Sequence, residues 1–152
     1  MKAIKKELEF KLQKGLCRPS KSTWARTLHF VLKKSGDWRP CRDYRVLNNV
    51  TIPYKYIIFN LTNCTHIKYY PKIFSFIDLI RTYQQILVHD ADIPKTAMTT
   101  PSKRFEFPIM TNSLRNAAHT FQRFMNTVLS GLDFLFCNLN DILIISPDEG
   151  TH

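Results

Sequence analysis

Phe134-Leu135-Phe136-Cys137-Asn138-Leu139-Asn140-Asp141-Ile142-Leu143-Ile144-Ile145-Ser146 is the stretch on which the reading of the fold rests. FLFCN and ILIIS are apolar arms, and Leu139-Asn140-Asp141 supplies polar residues at a tight turn, so the segment reads as a β-hairpin. Asp141 sits at its tip, where a carboxylate beside apolar arms is costly unless something pairs with it. Working outward, IFSFIDLI (73–80) is a second near-continuous apolar run with one acid, Asp78, and reads as a strand buried on both faces. Oxygen ligands converging from separate strand ends are what Mg2+ needs when it also holds phosphates. A polar turn and a solvated strand end account for the same residues, and spacing alone favours that plainer account.

Between these two runs, Phe121, Met125, Val128 and Leu129 mark one face of a helix over Asn116–Leu129, with Gly131 placed as its C′ residue. Ahead of them, TAMTT (96–100) and RFEFPIM (104–110) form a hairpin around Pro101, and LHFVLKK (28–34) with WRPCRDY (38–44) forms another. The N-terminal Ile4, Leu8 and Leu12 repeat every four residues up to Gly15, an amphipathic helix with a glycine stop. Residues 51–72 begin with the break at Thr51-Ile52-Pro53 and have only a weak helical period, which reads as a poor helix. Helices mixed with antiparallel strands, and no linker or internal repeat, make one domain of the α+β class.

The chain carries 22 Lys and Arg against 12 Asp and Glu, a formal charge of +10, which calls for a polyanionic partner. The charge is uneven: residues 1–76 hold 16 basic and 4 acidic side chains, residues 77–152 hold 6 and 8. A basic half joined to an acidic one suits a polymer-binding surface coupled to a carboxylate site better than a basic tail. A hydrophobic content of 44% excludes a disordered chain. Cys17, Cys41, Cys64 and Cys137 form no C-x-x-C pair, which points to reduced thiols. With no signal-peptide pattern and no membrane span, an intracellular, cytoplasmic or nuclear location is expected. Only 4 glycines occur in 152 residues, against a typical usage of about 7%.

From about Glu7 to Ser146 the sequence resembles the fingers and palm of reverse transcriptases, most closely those of gypsy-type long-terminal-repeat retrotransposons. The matching segments are RPSKSTWA (18–25), KKSGDWRPCRDYRVLN (33–48), FSFIDLIRTYQQI (74–86), DIPKTAMTTP (92–101), EFPIM (106–110), NAAHTFQRFMN (116–126) and NLNDILI (138–144). The resemblance implies a right-hand polymerase fold with the thumb missing: fingers over about 1–53 and 86–116, and palm, an antiparallel sheet packed on helices, over about 54–85 and 117–152. It implies template-directed nucleotidyl transfer, in which two Mg2+ ions, or Mn2+, support in-line attack of a primer 3′-hydroxyl on a nucleotide α-phosphate.

By the same resemblance, Asp78 matches the single metal-binding aspartate, and Asn140 and Asp141 fall on the aspartate pair. Asn140 thus replaces a carboxylate, and Asn138 stands where a tyrosine usually precedes the pair. Lys33, Lys34, Arg39, Leu79, Arg81, Thr82, Tyr83 and Asn112 match positions that hold the incoming nucleotide, with Tyr83 under the sugar and Arg39 on the triphosphate. Trp24, Arg42 and Arg45 match nucleic-acid contacts, although Arg45 also suits an ion pair with Asp43. Gln122 and Arg123 are expected to pack and cap. The implied partners are a primed RNA or DNA template and deoxynucleoside triphosphates, within a Pol polyprotein that also carries thumb, ribonuclease H and integrase.

Departures from the family pattern gather near the implied site. The loop over 110–114 reads Met-Thr-Asn-Ser-Leu, and Ala118 stands for a proline. Positions 82, 103 and 113, and often 69 and 70, are glycine in the family but Thr, Lys, Ser, Tyr and Tyr here, where side chains are expected to bring strain or block positive φ. The expectation is therefore a polymerase scaffold with weak or no polymerase activity. The competing expectation is a basic nucleic-acid-binding module without catalysis.

Overall fold

In the computed structural model the described residues are 2–24, 26–32, 36, 38–58, 73–101 and 103–150, and they divide into two compact units. Unit 1 comprises residues 1–52 and 84–115, and unit 2 comprises 53–83 and 116–152.

Unit 1 opens with helix α1 (Lys2–Gln13), which ends as its glycine suggests. Gly15 takes φ +66, its N–H donates to the Leu12 carbonyl, and Leu16 N–H donates to that of Lys11, a Schellman closure. Strands β1 (Arg18–Pro19), β2 (Arg26–Leu32) and β3 (Trp38–Arg42) follow, then a short helix α2 (Arg45–Val50). Later in the chain, β5 (Met98–Thr99) and β6 (Arg104–Glu106) complete a five-stranded sheet in the order β1-β6-β5-β2-β3. The expected hairpins are both present: β2 pairs antiparallel with β3 from Leu28↔Arg42 to Leu32↔Trp38, and β5 pairs antiparallel with β6. Only β2 and β5 run parallel among the described pairs. Beneath the sheet lies a core of Cys17, Tyr44, Met98, Phe105 and Phe107, against which Leu8 and Leu12 of α1, with Leu47 and Leu114, pack. The four-residue spacing of α1 is thus spent on this core.

Unit 2 holds β4 (Ile73–Asp78), helix α3 (Ala117–Val128), β7 (Leu135–Asn138) and β8 (Asp141–Ser146). The sheet runs β4-β8-β7, antiparallel throughout, and α3 packs on β7. Phe121 and Met125, one turn apart on α3, are buried; fully burying an apolar side chain of that size contributes about 1.5–3 kcal/mol.

Four expectations are corrected. First, β4 is not buried on both faces: it pairs with β8 alone among the described residues, and Phe74, Phe76 and Ile77 are 57%, 62% and 43% exposed. An apolar run reports hydrophobicity, not which side of the sheet a strand occupies, and here the centre belongs to β8, which buries Ile142 and Ile145. Second, residues 51–58 form no helix of their own, and residues 59–72 of the expected poor helix lie outside the described residues. Pro53 breaks the pattern, and the Tyr54 N–H bonds instead to the Asn116 side chain at 2.9 Å. Third, at the described positions 82, 103 and 113 the lost glycines do not force left-handed backbone: among the described non-glycine residues only Arg81 (φ +58) and Leu139 (φ +53) are left-handed, so Thr82, Lys103 and Ser113 sit without that strain, and Tyr69 and Tyr70 lie outside the described residues. Fourth, the left-handed glycine after α3, Gly131, comes one residue later than C′, because Leu129 is the C-cap. No helix among the described residues is long and apolar enough to cross a membrane.

Candidate active site

The register of β4 on β8 puts Asp78 directly opposite Asp141. On antiparallel neighbours, opposed residues project from the same face with Cβ atoms about 4.5–5.5 Å apart. Asn138↔Asp141 closes the β7–β8 pairing, leaving Leu139-Asn140 as a two-residue turn. Such turns favour glycine or asparagine at left-handed positions. Leu139 takes that conformation here, at a cost of about 1–2 kcal/mol for a residue with a Cβ.

Hydrogen bonds from three residues, Leu79, Gln122 and Cys137, hold the tip in place. Leu79 N–H donates to the Asn140 carbonyl at 2.8 Å, tying the exit of β4 to the turn. Gln122, wholly buried on α3, accepts from Leu139 N–H at 2.8 Å and donates to the Cys137 carbonyl at 2.8 Å and to Asn126 at 2.9 Å. The Cys137 thiol donates to the Leu139 carbonyl at 3.2 Å. Burial pushes that thiol up to about 11, with the Asp141 carboxylate adding to the effect, so it stays protonated at neutral pH. Gln122 is the one positioning residue whose role exceeded the packing and capping expected of it. Its signal in the sequence was a polar residue beside Phe121 and Met125 on an otherwise apolar helix face.

At the tip, the Asn140 carboxamide nitrogen donates to Asp78 Oδ1 at 3.1 Å and to Asp141 Oδ1 at 3.4 Å. The structure therefore brings together the three residues expected to form the metal centre. Their chemistry is not that of a two-ion site. Two carboxylates offset two of the four positive charges on a pair of Mg2+ ions, and the third member turns an N–H donor, not an oxygen, toward the other two. Among the described residues, no three His, Cys, Asp or Glu side chains gather as metal ligands. The donor set does not fit two divalent ions.

Beside the acids, Arg81 is left-handed, Thr82 is buried at the start of a 3-10 helix (Thr82–Gln85), and the Tyr83 ring packs against Phe121 with centroids 5.7 Å apart. These residues and Leu79 belong to unit 2 with Asp78, Asn140 and Asp141.

The remaining expected contacts lie on unit 1. Arg42 and Arg45 line a pocket of about 310 Å³ with His29, Asp43, Asn48 and Ser113. Within it, Arg45 holds Asp43 through both carboxylate oxygens, the closest contact at 2.6 Å, and this ion pair keeps the Asp43 carboxyl well below the usual carboxylate range. Arg42 lays its guanidinium 3.7 Å over the centroid of buried Phe107, a cation–π contact. Trp24 is exposed, with its backbone N–H on Ser22 Oγ, and Asn112 is exposed and accepts from Ser113 Oγ at 3.4 Å. Lys33, Lys34 and the Arg39 side chain lie outside the described residues; the Arg39 backbone pairs with Val31.

Known proteins share the sequence pattern and the fold of this chain. The profile of the reverse transcriptase (RNA-dependent DNA polymerase) family matches residues 31–152. The Pol polyprotein of transposon 297 from Drosophila melanogaster is 35% identical over 98% of the chain, and that of transposon opus from the same species 32% over 98%. A Schizosaccharomyces pombe transposon Tf2-3 polyprotein is 32% identical over the whole chain. The chain spans only 12% to 16% of the length of these relatives. Among solved structures, a foamy viral protease-reverse transcriptase in complex with an RNA/DNA hybrid superposes over 99% of this chain and 20% of its own, with TM-score 0.87 and 18% identity. The native prototype foamy virus protease-reverse transcriptase covers 95% of this chain and 20% of its own, with TM-score 0.79 and 21% identity. The hairpin with its paired acids, the α+β architecture and the matched profile lead to one conclusion: the chain belongs to the reverse transcriptase family.

Proposed function

We propose that the chain is the fingers and palm portion of an RNA-directed DNA polymerase from a retrotransposon Pol polyprotein, with unit 1 as fingers and unit 2 as palm, and that it synthesises DNA weakly or not at all. The observation that carries the second half is the Asn140 carboxamide, which occupies with N–H donors the place between Asp78 and Asp141. In a working member of the family a primed template and a deoxynucleoside triphosphate meet divalent cations at this position. Here a dipole has replaced a charge. If that swap removes several kcal/mol of transition-state stabilisation, the rate falls on the order of 10²–10⁴-fold.

Primer extension on a primed RNA template with Mg2+ or Mn2+ tests this, comparing the chain with Asn140→Asp. The expected result is little or no extension by the natural chain and a gain of at least about a hundredfold in the variant. Robust synthesis by the natural chain overturns the proposal. A second reading, a nucleic-acid-binding module without catalysis, draws on the basic surplus of unit 1; template binding by both chains with synthesis by neither favours it.

A further inference from the structure

Directly opposed like charges on antiparallel neighbours repel, and Asp78 and Asp141 stand in that relation. Such a pair costs less where something of opposite polarity lies between the carboxylates. The group placed there is the Asn140 carboxamide, whose single nitrogen carries two N–H bonds and reaches an oxygen of each aspartate, at 3.1 Å and 3.4 Å. The residue that carries it is anchored, since its carbonyl accepts from Leu79 N–H at 2.8 Å.

We infer that Asn140 is a built-in substitute for a divalent cation: its amide bridges the two carboxylates and holds the hairpin tip against β4 with no ion bound. This deepens the reading of the site given above and rests on it. It goes further in one respect. Loss of a metal ligand alone leaves two repelling carboxylates, whereas the bridge makes the tip independent of metal. With aspartate at 140, three carboxylates converge and the tip needs a cation; with alanine, the donor is gone and no third charge replaces it.

Thermal unfolding of the full chain, Asn140→Asp and Asn140→Ala, in EDTA and in millimolar MgCl2 at matched ionic strength, separates these states. The natural chain is expected to unfold at the same temperature in both media. Asn140→Asp is expected to unfold roughly 3–6 °C lower in EDTA and to recover in MgCl2, and Asn140→Ala to unfold lower in both. A natural chain that gains as much from Mg2+ as Asn140→Asp overturns the bridge, as does an Asn140→Ala chain that matches it in EDTA. If Asn140→Asp folds only with metal, Mn2+ titration followed by the signal of the free ion decides: sequestration by Asn140→Asp but not by the natural chain supports the bridge, and equal sequestration overturns it. Primer extension reports separately. A natural chain stabilised by Mg2+ yet inactive loses the bridge and keeps the proposed function; one that makes DNA without such stabilisation keeps the bridge and loses the proposed function.

Discussion

Gln122 has no charge and touches no substrate position, yet the geometry of the acids depends on it. Its amide answers both the Leu139 N–H and the Cys137 carbonyl, the two backbone groups that flank the turn, from a wholly buried position on α3. The left-handed Leu139 is held in an unfavourable conformation, and a conformation of that kind persists only where its surroundings over-determine it. Asn140 can present its amide to Asp78 and Asp141 because the residue before it is fixed in this way. Gln122→Leu keeps the volume and deletes these two hydrogen bonds together with the one to Asn126, leaving the Leu139 N–H and the Cys137 carbonyl without the Gln122 amide. The expected cost is about 2–4 kcal/mol of unfolding free energy. Urea unfolding checks it: the midpoint should fall with an unchanged slope. A loss below about 0.5 kcal/mol would show that the turn is held by other means.

At the scale of elements, the pairing of β1 on β6 is only two residues long, Arg18↔Glu106 and Pro19↔Phe105. Side chains reinforce it. Glu106 is buried and accepts from Arg18 Nε at 2.8 Å and Ser20 Oγ at 2.6 Å. Burial by itself raises the Glu106 carboxyl, but these two hydrogen bonds outweigh it and hold the group below its ordinary value of 4.5. A carboxyl depressed in the folded state contributes stability that is complete above the unfolded value and is lost as pH falls through the lower folded one. Stability is therefore expected to decline from about pH 4.5 downward, and more gently in Glu106→Gln. Urea midpoints measured for both chains between neutral and acid pH test this, and parallel pH profiles would refute it. The same scale shows what the sequence disclosed. Hairpins were legible because alternation and turn residues are local, and α1 and α3 because their apolar spacing is regular. By contrast, α2 is six residues long, too short for a period, and is fixed by distant partners: Asn48 donates to the Ser113 carbonyl and accepts from Arg115 N–H. The edge position of β4 depends on which strands pair with it, which no local pattern contains. Asp78, Asn140 and Asp141 were legible as a set through family order, whereas the turn of the Asn140 amide toward the acids belongs to three-dimensional geometry.

Across the whole molecule, the net charge belongs to one unit. Unit 1 holds 17 Lys and Arg against 7 Asp and Glu, and unit 2 holds 5 of each, so the entire +10 resides in unit 1. Residues 84–115 return to unit 1 late in the chain and bring 4 basic and 3 acidic side chains with them. A surplus of ten on a unit of that size creates a positive potential that attracts polyanions without selecting among base sequences. In unit 1, the Arg45–Asp43 pair and the Arg42–Phe107 contact already occupy two of the cations, so phosphate contacts are expected to draw more on Lys33, Lys34 and Arg39. Each phosphate neutralised releases counterions, which makes affinity fall with salt at a slope of about −0.7 to −0.9 per contact on a logarithmic scale. With roughly five contacts, binding of a primed template should weaken a few hundredfold between about 50 and 200 mM salt. Alanine at Lys33, Lys34 or Arg39 should each reduce that slope by about one, equally for unrelated template sequences. Fluorescence anisotropy with a labelled template across a salt series measures both quantities. Affinity indifferent to salt, or a slope unchanged by all three substitutions, would place the binding surface elsewhere than on this basic unit.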